Sequence, residues 1–170
     1  MRTTRTMLAL LAVSLLALRT ARPAEDEKAW KPYIETGSNY ARAAEDATNS
    51  RDRRDNIERA AGQFQAAVNA GKDTSNWRPL VLAADGYMRL AIVATGNDKD
   101  NYTDLANAAL NTAATLAKNK GARQGLTDTI RVYRQLARIS AGQKLKTIED
   151  RIQSLERDAE NMPAEKERER

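Results

Sequence analysis

Cysteine and histidine are both absent from the 170 residues, phenylalanine occurs once and tryptophan twice. Without a thiol or an imidazole there is no disulfide, no thiolate or imidazole metal site, no cysteine nucleophile and no serine–histidine–aspartate relay. The shortage of aromatics also argues against a sandwich or barrel built from aromatic and β-branched strands. What the chain has instead is alanine, about 30 of them, which points to helices packed closely through small side chains. Hydrophobic residues make up 41% and charged residues 30%, with a mean hydropathy of -0.68. Those values and the length describe one soluble globular core.

The formal charge is +5. Four of the 28 basic residues, Arg2, Arg5, Arg19 and Arg22, fall in the first 24 positions, where there is no acid. The remaining 24 basic residues face 23 acidic ones, so the rest of the chain lacks the broad positive field that polyanion binding uses, and no nucleic acid partner is expected. Met1–Thr6 carries two arginines, and Met7–Leu18 is apolar apart from Ser14. A basic segment before a short apolar run is the pattern of a secretory signal, too short for a bilayer span of about 20 residues. Residues 1–24 therefore read as a signal peptide, 25–162 as the folded domain and 163–170 (PAEKERER from Pro163) as a charged disordered tail. Arg22 and Arg19 occupy the −3 positions before Ala24 and Ala21, which leaves an uncleaved anchor as the alternative. No cysteine follows the apolar run, so a lipid-modified N-terminus is excluded. The expected destination is the periplasm or the exterior. Alanine content and an excess of arginine over lysine fit a GC-rich bacterial genome.

Trp30-Lys31-Pro32-Tyr33 recurs as Trp77-Arg78-Pro79-Leu80, 47 positions on, and Tyr40 and Arg42 fall on Tyr87 and Arg89 at the same offset. A further 46 positions carry Leu80 to Leu126 and Tyr87 to Tyr133, and Ala60, Phe64 and Ala67 fall on Ala106, Leu110 and Ala113. Three units follow, each of two helices. The expected boundaries are 32–48 and 55–70, 80–95 and 102–119, and 126–141 and 144–161. Pro32 serves as a first-turn proline, Gly71 and Gly121 as stops, and Gly96–Asn101 as a turn. The 80–95 helix has almost no polar face and reads as surrounded by neighbours, whereas 32–48 is apolar on one side only, like the end of a stack. The fold class is all-α, three stacked antiparallel helical hairpins, with a six-helix bundle as the alternative.

A tyrosine late in the first helix of a unit, followed by Ala60-x3-Phe64-x2-Ala67 in the second, resembles the tetratricopeptide repeat family. That resemblance implies a superhelical α-solenoid that binds peptides or proteins on its concave face. Units of 46 residues exceed the family's usual 34 by about a dozen, the extra length lying between the tyrosine and the alanine-rich helix.

Candidate contact residues follow from charge on otherwise apolar helices. Asp85 and Arg89 are four apart on the central helix and read as facing each other or opening onto a groove; with Arg42 they form the expected partner-binding face. Arg131, Arg134 and Arg138 form a basic stripe that could meet an acidic partner, or be neutralised by Glu149, Asp150, Glu156 and Asp158 on the next helix. Tyr40, Tyr87 and Tyr133 read as packing between the two helices of their own hairpins. Leu145, Ile148, Ile152 and Leu155, continued by Ala159 and Met162, have heptad spacing and could join two copies or pack on the preceding helix. Asp98, Asp100 and Asp104 fail as a calcium loop, since Thr103 stands at the glycine position and Ala109 at the closing glutamate. No cofactor, metal site or enzyme is expected. The reading is an exported interaction scaffold for another protein or peptide, with a self-associating bundle as the second hypothesis and an enzyme using carboxylates alone as the third.

Overall fold

A computed structural model describes residues 23–163; the segment expected to direct export, up to residue 22, and the tail after residue 163 lie outside the described residues. Six α-helices and no strand are found there: α1 (Pro23–Asp46), α2 (Ser50–Asp73), α3 (Trp77–Val93), α4 (Asn97–Lys120), α5 (Arg123–Ile139) and α6 (Gly142–Glu160). Each helix packs on the next, and α3 also packs on both α1 and α5. The period survives in the boundaries. Helices α1 and α3 end 47 residues apart, α3 and α5 46, and α2 and α4 begin 47 apart. Both alanine sets, Ala60-Phe64-Ala67 and Ala106-Leu110-Ala113, are fully buried.

Several boundaries differ from the expected ones. Helix α1 begins nine residues before Pro32, which sits inside it. The stretch 25–30 is rich in acids and helix formers, favourable at a helix N-terminus, and Trp30 is buried, so the extension is anchored despite the proline. The segment after Gly96 is not a free turn, because α4 starts at Asn97 with Asp98 and Asp100 in its first turn, complementing the helix dipole. Nor does Gly71 end α2. It lies buried in the last turn, where a Cβ would come within 2.6 Å of the Pro79 side chain and would overlap Leu80. One unit later the small residue changes sides: at the equivalent joint it is Gly125 of α5 that has no room, its Cβ falling 2.7 Å from the Ala117 Cβ of α4.

The real stop is a backbone motif. Asn76 N donates to Gly71 O (2.7 Å) and Ser75 N to Lys72 O (3.0 Å). Forty-six residues on, Ala122 N donates to Ala117 O (2.8 Å) and Gly121 N to Lys118 O (2.9 Å). This is the Schellman closure, whose pivot takes a left-handed conformation. Gly121 does so at φ 58° without a Cβ, whereas Ser75 does so at φ 52° with one. Ser75→Gly is therefore expected to raise the unfolding free energy by about 0.5–1 kcal/mol, the relieved strain outweighing the greater freedom of the unfolded chain. An unchanged or lower urea midpoint would count against that strain.

The heptad residues of α6 are taken up within the chain. Ile148 and Leu155 are buried, Ile152, Ala159 and Met162 pack half-buried against the same core, and Leu145 keeps part of its surface.

Candidate functional site

Helices α1, α3 and α5 lie side by side, while α2, α4 and α6 cover only one flank of that layer. The other flank of α3 carries Arg78, Leu82, Asp85, Arg89 and Ile92, spaced 4, 3, 4 and 3. Here the expectation of a fully surrounded central helix fails, since Leu82 is 41% and Ile92 66% exposed. A single layer leaves its outer face without neighbours. The repeat itself held the signal: at the positions of Leu82 and Ile92 the first unit has Glu35 and Glu45, and the third has Asp128 and Arg138. Apolar residues between two polar rows mark an exposed site rather than a core.

The expected Asp85–Arg89 pair is not formed. Arg89 instead makes a two-pronged contact with Glu45 of α1, Nε to Oε1 and Nη2 to Oε2 both at 3.0 Å. A guanidinium matches a carboxylate in this fork arrangement, which orients the longer side chain toward α1 and ties the two helices together. Asp85 is half-buried and has no ion pair among the described residues. Arg42, at the repeat position of Arg89, is exposed and likewise unpaired among them. Arg78 approaches Glu27 at 3.7 Å, a second tie between α3 and α1.

The basic stripe on α5 divides. Arg134 donates to Glu156 of α6 at 2.7 Å, as one of the four acids on that helix was expected to do. Asp158 is held by Lys118 of α4 instead. Arg131 and Arg138 are exposed and lack ion pairs among the described residues, and by repeat position they share the row of Asp85 and Ile92. The structure thus places Arg42, Asp85, Arg89, Arg131 and Arg138 on one face of the α1–α3–α5 layer, while Arg134 turns to α6. Beside this face the Gln135 Oε1, at the repeat position of Arg42 and Arg89, is buried with no hydrogen-bond partner among the described residues.

The tyrosines pack within their own hairpins as expected, and those of the second and third units also reach the preceding hairpin. Tyr87 Oη donates over a long 3.5 Å to Ala61 O of α2, and Tyr133 Oη over 3.4 Å to Asn107 O of α4, the same contact 46 residues later. The Tyr87 ring also stacks on Tyr102 of its own hairpin and meets Phe64 of the preceding one edge-on. Tyr40, in the first unit, is half-buried with Arg59 over its ring at 5.7 Å. Burial pushes the Tyr87 hydroxyl up to about 12, with Tyr102 adding to it. Tyr133 is pushed up to about 12 by burial although Arg151 opposes the shift.

Behind the layer, the second helices of the hairpins stand apart and leave clefts. One of about 210 Å³ lies between α2 and α4. Another, of about 150 Å³, lies between α4 and α6. Among the described residues no group of three or more carboxylates is arranged to hold a metal ion, and no helix is long and apolar enough to cross a membrane. Compared with known proteins, the chain matches no family model, and no curated protein matches its sequence.

Proposed function

We propose that this chain is an exported scaffold of tetratricopeptide-like hairpins that binds another protein or a peptide on the face of α1, α3 and α5. The observation that carries the reading is the row Leu82-Asp85-Arg89-Ile92. It combines two exposed aliphatic side chains with charges, on the middle helix of a three-helix layer flanked by the unpaired Arg42 and Arg131. Exposed aliphatics bordered by charge are the composition of an interaction patch, where desolvation supplies affinity and the rim supplies specificity. Arg89 serves there mainly to hold α1 against α3, because Glu45 already occupies its guanidinium. Arg42, Arg131 and Arg138 are the cations open to a partner.

Leu82→Ser/Ile92→Ser and Arg131→Glu/Arg138→Glu test the face. Both leave the core and the Arg89–Glu45 pair untouched, so unchanged circular dichroism is expected. Proteins that co-purify with the native chain from the cell envelope should be lost at least about tenfold in each variant, the loss of roughly 1.4 kcal/mol or more that a central patch residue carries. Full recovery of the same partners with both variants would remove the face from consideration. Self-association through Leu145–Leu155 has less support, since Ile148 and Leu155 are buried in the chain's own core. A concentration-independent monomer in light scattering would end it.

A further inference from the structure

The two clefts share four lining positions one unit apart, Ile57, Glu58, Asp98 and Tyr102 falling on Thr103, Asp104, Lys144 and Ile148. Between α4 and α6, Lys144 lines the cleft and its Nζ lies 2.9 Å from Asp104 Oδ1 and 3.4 Å from Asp100 Oδ1. Forty-six residues earlier, Glu58 stands for Asp104 and Asp98 stands for Lys144. At these two positions the cleft between α2 and α4 has two carboxylates where its copy has a carboxylate and an ammonium, while at a third Arg54 stands for Asp100. Both acids line it, and neither has an ion pair among the described residues. Tyr102, 8% exposed, lines the same cleft and has no hydrogen-bond partner among the described residues. Burial and then the charges of Asp98 and Glu58, which line the same cleft, push its hydroxyl above the usual phenol range.

We propose that the cleft between α2 and α4 is a binding site for a primary ammonium on an aliphatic stem, held by Glu58, Asp98 and the Tyr102 hydroxyl. An ammonium offers three N–H donors, and the site offers acceptors on three residues. Ile57 and Val93 supply apolar walls for the stem, and about 210 Å³ accommodates a short one. The cleft between α4 and α6 shows what completes the arrangement, because there the chain supplies the lysine itself. The internal rival is Arg54, which stands at the repeat position of Asp100 and lines the cleft, but forms no ion pair with either acid among the described residues. Arg53, on the same turn, is engaged by the Ala47 carbonyl at 2.8 Å. The site is built from α2, α4 and the C-terminal end of α3 and includes none of the residues of the proposed partner face, so it stands or falls independently of that surface.

The test is titration of the full chain with n-butylammonium chloride into the millimolar range, followed by the NMR shifts of the Tyr102 ring and the Asp98 amide, with n-butanol as the uncharged control. Saturable shifts with the amine and none with the alcohol are expected. Glu58→Gln/Asp98→Asn should weaken the amine by about tenfold, the sum expected for two solvent-accessible ion pairs, and Arg54→Gln should tighten it by removing the competing cation. Tighter binding of acetyl-lysine methylamide than of putrescine assigns the site to a lysine side chain of a partner, and the reverse assigns it to a free amine. No saturation in the native chain, or equal affinity in the doubly neutralised variant, overturns the proposal.

Discussion

Phe64→Ala is expected to lower the unfolding free energy by about 3–5 kcal/mol, a large part of the 5–15 kcal/mol that holds a domain of this size. The reason is geometric. The only phenylalanine in the chain is fully buried in α2, and two glycines on two different helices are bare so that its ring can fit. A Cβ on Gly37 of α1 would lie 2.7 Å from the ring, and one on Gly86 of α3 would overlap it. The ring edge also meets Tyr87 with centroids 5.7 Å apart. Removing the ring thus empties a space bounded by the first two hairpins at once, with no side chain on either glycine to collapse into it. Gly86→Ala should cost about 1–3 kcal/mol by overpacking although alanine is the better helix former. Combined with Phe64→Leu it should cost less than the two changes separately, because the shorter side chain makes room for the new methyl. Urea unfolding followed by circular dichroism measures all four corners of this cycle. A loss below about 1 kcal/mol for Phe64→Ala would mean that the ring is not the joint between hairpins described above.

Stability should be flat from neutral pH to about 10 and then collapse as pH rises toward 12. With no histidine, no side chain has its ordinary pKa near neutrality. The exposed tyrosine of the unfolded chain titrates near 10. Tyr87 and Tyr133 are pushed up to about 12 in the fold. A group whose folded pKa is raised contributes its stability in full below the unfolded pKa, and that contribution is lost as pH climbs through the folded value. Both hydroxyls also donate to carbonyls of the preceding hairpin, a bond that a phenolate cannot make. Phenolate absorbance and helical circular dichroism recorded together should therefore change together for these two residues, in the window from about 10 to 12. Ionisation of every tyrosine in the ordinary phenol range with the helices intact would contradict their burial.

The repeat was legible because it is written in scarce residues. Two tryptophan–proline signatures and three tyrosines at near-constant spacing are hard to arrange by chance in a chain this poor in aromatics. Helix ends were less legible, since Pro32 and Gly71 carry opposite local signals from the ones their surroundings enforce. Trp30 anchors a helix that runs through the proline, and Pro79 presses on the glycine. The partner of Arg89 was hidden for another reason. Asp85 is its neighbour along the helix, but Glu45, 44 residues away, is its neighbour across the layer, and only the register of α1 against α3 decides between them. Leu82 and Ile92 read as core in the sequence because α3 has almost no polar face. Aligning the three units shows polar residues at both positions on either side. Glu58 and Asp98 acquire meaning only beside Lys144, once the two clefts are superimposed by the repeat.

The joints between hairpins are keyed to their neighbours. At the first, glycine is on the leaving helix (Gly71) and proline on the arriving one (Pro79); at the second, alanine leaves (Ala117) and glycine arrives (Gly125). Excising residues 76–121 would fuse Ser75 to Ala122 with the turn chemistry intact, yet it would set Gly71 against Gly125 and open a void. Copying the same block in tandem would drive Ala117 into Pro79. The hairpins are near copies in outline but cannot be shuffled, and the length of the array is fixed by which methyl group each seam omits.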